Sequence, residues 1–207
     1  MIDRGRTMIK ICGLRTPEAV AAVAESGADM AGFVHWTGSP RFVDLQQAEG
    51  LASGLPGTTS PVSLFVDERP ERMLESPFEW IQLHGREDEE TCRTLRRAGR
   101  RVIRGFKFDA DSLERWDRCP DVDVLLVDGS ETGGSGRTFD HRELAPRIGA
   151  LSKPVIVAGG LHRGNVLELL DSVPCWGVDV SSGVEVSRGT KDPEEIRAFC
   201  RTIRPCE

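Results

Sequence analysis

Apolar residues along this chain fall in short runs that alternate with amphipathic stretches. The run at 8–14 reads Met-Ile-Lys-Ile-Cys-Gly-Leu and gives way to Thr16 and Pro17, which suit a helix N-cap and N1. The helix predicted over 16–27 carries Ala19, Val20, Val23 and Ala24 on one face and stops at Gly27. Further strands are predicted at 30–34, 60–66, 80–83, 101–108, 122–127, 154–158 and 176–180. Helices are predicted at 44–55, 70–75, 88–98, 111–119, 139–151, 165–173 and 192–203. Asp111 or Ser112 should cap the fifth of the eight helices, and Pro193, Glu194 and Glu195 suit the first turn of the last.

Eight strand–helix pairs imply a parallel sheet with right-handed crossovers. The predicted fold is therefore α/β, a single-domain (β/α)8 TIM barrel, for which about 200 residues is the lower end of the usual range. A doubly wound open sheet is the competing fold, but Cys12-Gly13-Leu14 is not the Gly-rich nucleotide turn expected after its first strand. The barrel domain is assigned to 8–207, with 1–7 a polar N-terminal extension lacking the apolar core of a signal peptide. Two strand-to-helix loops are long, 35–43 and 129–138, and should supply most substrate-specific contacts.

Composition narrows the function. The formal charge of −6 disfavours nucleic acid, which needs a basic face. It leaves room for an anionic small molecule, because helix N-termini and one or two arginines can build a local positive site. No apolar run approaches a membrane span. Six cysteines without a C-x-x-C pair argue against structural zinc and disulfides, and for a reducing cytoplasm. The four histidines show no metal-ligand spacing and are read as structural or rim residues.

In parallel barrels, chemistry sits just past the carboxyl ends of the strands. Those positions hold Cys12, Arg41, Asp67, His84, 106–109, Asp128, Gly159-Gly160, Asp179 and Ser181-Ser182-Gly183. The two glycine turns lie where barrels often bind phosphate through backbone amides, although ordinary tight turns use the same residues. Asp128 ends an apolar strand; partial desolvation should raise its pKa and suit it to proton donation, or it is a turn former before Gly129. Cys12 is either a small buried apolar residue or a base that is partly thiolate, given a modest downward shift from about 8.5. Arg41 could grip a carboxylate through two parallel hydrogen bonds or be a solvated surface residue. Asp179 interrupts an apolar strand and should meet a substrate donor or a neighbouring cation.

The chain resembles the phosphoribosylanthranilate isomerase family of tryptophan biosynthesis. The resemblance runs from Met8 onward through Lys10-Ile11-Cys12-Gly13-Leu14, Gly32-Phe33-Val34, Ser39-Pro40-Arg41-Phe42-Val43, Leu64-Phe65-Val66, Ile81-Gln82-Leu83-His84-Gly85, 133–140, Ala158-Gly159-Gly160-Leu161 and 178–185. It implies a barrel without cofactor or metal, acting on a phosphorylated small molecule; monomer and homodimer both fit the sequence, with monomer favoured. It implies Cys12 as general base and Asp128 as general acid in an Amadori rearrangement, and Arg41 on the anthranilate carboxylate. It further implies Asp179 on the substrate side and Gly159, Gly160, Ser181, Ser182 and Gly183 around the phosphate. The chain departs from the family pattern at 35–38, at Asp67, where asparagine is usual, and at His141, where tryptophan is common. The rival enzyme, aminoimidazole carboxamide ribotide isomerase, resembles a two-carboxylate machine with Asp in the place of Cys12. A metal-dependent pentulose-phosphate epimerase would need His and Asp ligands at the strand ends, where only His84 could serve. A phosphate-binding barrel without catalysis would not need Cys12, Asp128 and Arg41 together.

Overall fold

Period-two alternation sends every second strand residue inward, and eight such strands close on themselves here. A computed structural model describes residues 6–129 and 143–205. The chain runs β1 (Met8–Cys12), α1 (Pro17–Glu25), β2 (Met30–Val34), α2 (Leu45–Ala52), β3 (Ser60–Phe65), α3 (Pro70–Leu74), β4 (Trp80–Leu83) and α4 (Glu89–Arg97). It continues through β5 (Arg101–Lys107), α5 (Ala110–Arg118), β6 (Val124–Asp128), α6 (Ala145–Ile148), β7 (Val155–Ala158), α7 (Val166–Ser172) and β8 (Gly177–Val180). Strands β1 to β8 form a closed barrel in sequence order, and all its pairings are parallel. The final segment holds a 3₁₀ turn (Ser182–Val184), a small antiparallel pair β9 (Glu185–Ser187) and β10 (Thr190–Lys191), and α8 (Pro193–Ile203).

Side-chain caps set several helix starts. Thr16 accepts from the Ala19 amide, and Asp44 and Gln47 form a reciprocal capping box. The cap of α5 differs from expectation: Asp109 accepts from the amide of Ser112, so the helix begins at Ala110 and Asp111 falls in its first turn. Aspartate two residues upstream wins because its side chain reaches an N3 amide that Asp111 and Ser112, already helical, cannot serve. The pair β9–β10 was not expected. Its strands are too short to show alternation, and Val186 is exposed. The connection 181–192 is therefore a third elaborated loop at the strand ends. The extension at 1–5, most of the expected loop at 129–138, and residues 139–142 of the expected sixth helix lie outside the described residues.

Two apolar layers hold the fold. Outward strand residues such as Ile9, Ile11, Phe33, Ile81, Leu125, Val127 and Val178 pack under the helices. Inside, Met30, Val62, Trp80, Ile103, Val124, Leu126 and Ile156 fill the lower barrel. Each such buried side chain contributes about 1.5–3 kcal/mol, so a helix as short as α3 rests on packing, through buried Met73, rather than on intrinsic propensity. Cys12, Val34 and Leu64 form a smaller cluster towards the carboxyl ends of the strands. Between these inner clusters Lys10 and Asp179, register partners across β1 and β8, replace apolar side chains with charge.

Candidate active site

The glycine behind β1 shapes the end of that strand. Gly13 has φ 85°, and a Cβ there would lie 2.5 Å from Cδ of Arg41. A glycine after Cys12 thus permits the left-handed turn and lets the aliphatic stem of Arg41 lie over the end of β1. The loop after β2 delivers that arginine, with its amide bonded to Ser39 Oγ at 3.1 Å.

Arg41 is not a solvated surface residue. Its Nε and Nη2 donate to Glu185 Oε1 and Oε2 at 2.6 and 2.9 Å, a bidentate pair. Glu185 is itself buried at the start of β9, and it also accepts from Lys191 Nζ at 2.8 Å and the Gly189 amide at 3.1 Å. Burial pushes the Glu185 carboxyl up, but these donors outweigh it and hold it down at about 2. Lys191 continues to Ser181, reaching its carbonyl at 2.9 Å and its Oγ at 3.2 Å, and Ser181 Oγ donates to the Cys12 carbonyl at 3.0 Å. A polar chain therefore joins the second loop, the last loop and the end of β1.

Cys12 is nearly fully buried, 5% exposed. Burial raises its pKa above the ordinary thiol value; Lys10 and Lys191 pull it down and Asp179 pushes it up, without reversing the rise. The expectation of a modest downward shift is thus corrected: desolvation dominates at this strand end. Asp179 meets a cation, Lys10, whose Nζ donates to Oδ1 at 2.8 Å. Burial disfavours the Lys10 ammonium, but Asp179 and Cys12 outweigh burial and raise its pKa.

Asp128 closes β6 in an inward position, since Val127 before it packs outward. Its Oδ2 lies 3.5 Å from Nε2 of His84, the residue just past β4. His84 Nδ1 is in turn 3.1 Å from Gln82 Nε2. His84 is therefore more than a rim residue, for it sits against the candidate acid. Asp67 adopts φ 52°, a conformation that short polar side chains tolerate. Its Oδ1 accepts from the Arg86 amide at 2.6 Å while its own amide donates to Glu87, so it shapes the rim.

The two glycine turns pack on each other. Gly159 and Gly160 have φ 98° and 66°. A Cβ on Gly183 would collide with the Leu161 carbonyl oxygen. The amides of Gly160, Leu161, Ser182 and Gly183 find no acceptor among the described residues. Four free amides on two abutting turns make a concave donor set suited to an anion. Gly183→Ala should therefore raise the KM for a phosphorylated substrate at least tenfold. Gly160→Ala, strained in φ but facing open space, should cost about 1–3 kcal/mol of stability at most. Steady-state kinetics and thermal melts of the two variants check this contrast.

The residue pattern of N-(5'-phosphoribosyl)anthranilate isomerases matches residues 9–202. The chain belongs to the phosphoribosylanthranilate isomerase family. The N-(5'-phosphoribosyl)anthranilate isomerase of Neisseria meningitidis is 41% identical over 200 residues, covering 93% of this chain and 94% of that one. Phosphoribosyl anthranilate isomerase from Thermotoga maritima superposes with a TM-score of 0.86 at 32% identity, covering 97% of this chain and all of that one. A phosphoribosyl anthranilate isomerase in complex with reduced 1-(o-carboxyphenylamino)-1-deoxyribulose 5-phosphate gives 0.84 at 31% identity, with the same coverage. Against this family fold, sequence reasoning placed Cys12, Arg41, Asp128, Asp179 and the glycine turns at one end of the barrel, and missed Lys10, His84, Glu185 and Lys191 as partners. Lys10 could have been found from its period-two relation to Cys12. Glu185 and Lys191 could not, because their hairpin carries no pattern. Among the described residues no helix is long and apolar enough to cross a membrane, and no three His, Cys, Asp or Glu side chains cluster as metal ligands.

Proposed function

We propose that the chain rearranges N-(5-phosphoribosyl)anthranilate to 1-(2-carboxyphenylamino)-1-deoxyribulose 5-phosphate by proton transfer between its own side chains. The observation that carries the reading is the placement of a thiol and a carboxylate, Cys12 and Asp128, at inward positions where β1 and β6 end. The abutting glycine turns after β7 and β8 would hold the phosphate. Asp128 would give its proton to the furanose ring oxygen as the C1′–O bond breaks, leaving an open-chain iminium ion. Cys12 thiolate would then take the C2′ proton, and the C–H pair would become the C1′–C2′ double bond of an enolamine. Protonation at C1′ and loss of the hydroxyl proton give the ketone. Solvent returns one proton to Asp128 and removes one from Cys12. The family relationship and the reducing chemistry that a working thiol needs both favour the cytoplasm.

Arg41 would receive the anthranilate carboxylate. Its Nε–Nη2 edge is held by Glu185, which leaves Nη1 and the second Nη2 proton to bind substrate. Arg41→Ala should mainly weaken substrate binding, by about 2–5 kcal/mol for a desolvated pair. An unchanged KM would reject the role. Asp179, with one oxygen on Lys10, would have its other oxygen for a sugar hydroxyl. A fluorescence assay of phosphoribosylanthranilate consumption, run beside the histidine-pathway aminoimidazole ribotide substrate, tests the whole reading. Turnover of the first and not the second supports it, and no turnover of the first overturns it.

A further inference from the structure

Lys10 is the least expected residue of the barrel interior. It is 0% exposed, and its long side chain occupies a layer that in most barrels is filled by branched apolar residues. Below it the interior is sealed by Met30, Val62, Trp80 and their neighbours. An ammonium in such a place needs compensation, and an ion pair with one carboxylate is the least that keeps it charged. Asp179 supplies that pair. Yet replacing Lys10 and Asp179 by apolar residues of similar volume would serve stability as well or better. The pair therefore calls for a reason beyond folding.

The reason lies two residues along the same strand. Lys10 and Cys12 point to the same side of β1, one above the other. Gly32 on β2 is the register partner of Cys12 and leaves a gap beside it. A Cβ on Gly32 would lie 2.8 Å from the Cys12 sulfur and 3.2 Å from the Lys10 Nζ. The sulfur and the ammonium thus converge on one small space that only glycine leaves open. The ammonium donates to Asp179 at 2.8 Å, and the thiol lies on the other side of that space.

We infer that Lys10 is a positioning residue of the reaction: its ammonium, clamped by Asp179, is the buried counter-ion that allows Cys12 to carry a thiolate charge beneath the sugar. The inference rests on the reading of Cys12 as general base. Four charged groups bear on the thiol: Lys10 on its own strand, Asp179 on β8, Lys191 on β10 and Arg41 in the second loop. Lys191 and Arg41 share Glu185, which spends much of their charge elsewhere. Lys10 is the strongest of the attractive influences on Cys12, and Asp179 opposes it more weakly. The clamp keeps Lys10 protonated while leaving a net pull on the thiolate. When Cys12 takes the C2′ proton, the sulfur becomes neutral and Lys10 remains paired with Asp179, so no isolated charge is left in the barrel at any stage.

The test is thiolate titration by ultraviolet absorbance, with the Cys12→Ala protein as background, so that the readout is independent of turnover. In Lys10→Met the Cys12 midpoint should move up by about one to three pH units, the usual effect of losing an adjacent opposite charge. The alkaline-rising limb of kcat/KM should move by the same amount, with KM little changed. Should the orphaned Asp179 prevent Lys10→Met from folding, the double variant Lys10→Met/Asp179→Asn removes the whole pair. Its midpoint should still rise, by less. A midpoint that stays in place in either protein would show that Lys10 only neutralises Asp179 and would overturn the inference. Full activity in Cys12→Ala would instead overturn the reading of Cys12 as base, a separate outcome.

Discussion

Cys12→Ala should lower turnover by roughly 10²–10⁴, the usual worth of a positioned base. In barrier terms that is about 3–5 kcal/mol. The loss should be chemical rather than structural. Cys12 belongs to a small cluster with Val34 and Leu64, and alanine removes one sulfur from a site that opens towards the strand ends. The core beneath is untouched, so a thermal melt should change little. Binding of the product, measured with turnover absent, should survive because Arg41 and the glycine turns remain. The pH dependence of the parent protein adds a second check. Burial raises the Cys12 pKa, so in the free protein the thiolate is the minor form near neutrality. The quantity kcat/KM should therefore climb as pH rises past neutral and level off only above the ordinary thiol value of about 8.5. A flat profile across that range, or near-normal turnover in Cys12→Ala, would reject the thiol as base.

Asp128→Asn should produce a loss of similar size, roughly 10²–10⁴. Asparagine keeps the shape and can still meet His84, but has no acidic proton for the ring oxygen. This separates proton donation from packing, which Asp128→Ala alone does not. The neighbouring imidazole sharpens the expectation. His84 Nε2 is 3.5 Å from the carboxylate and its other nitrogen faces Gln82 Nε2, so the imidazole orients the candidate acid without replacing it. His84→Asn should thus reduce kcat less than Asp128→Asn does. Steady-state fluorescence kinetics on both proteins measures the ratio. Turnover near that of the parent in Asp128→Asn would remove Asp128 from the chemistry.

Much of the candidate site is legible in the sequence because barrels reduce function to position. Once alternation marks a strand, its last inward residue and the turn behind it are the candidates, and these include Cys12, Asp128 and the two glycine turns. Arg41 was legible as a residue type but not as a geometry. Nothing near it in sequence announces Glu185, which lies 144 residues away on a hairpin too short to leave a periodic trace. The cap of α5 lies two or three residues before the expected Asp111 or Ser112 for a local reason, since Asp109, Asp111 and Ser112 are all good caps and only the path of the chain leaving β5 selects among them. The Cys12 pKa was misjudged for a non-local one. Free thiol chemistry suggested a small downward shift, while the closed barrel imposes a desolvation that a sequence does not display.

The sequence alone determined the alternation of strand and helix, the inward phase of each strand, and the kinds of chemical group carried to the strand ends. These are local properties, set by side-chain period and turn chemistry within a few residues. Only the closed structure decided which charges face each other. Lys10 and Asp179 are 169 residues apart and meet because β1 and β8 pair in one register, the one that completes the barrel. The pairing is forced by burial, since each of those charges would be prohibitive inside the barrel without the other.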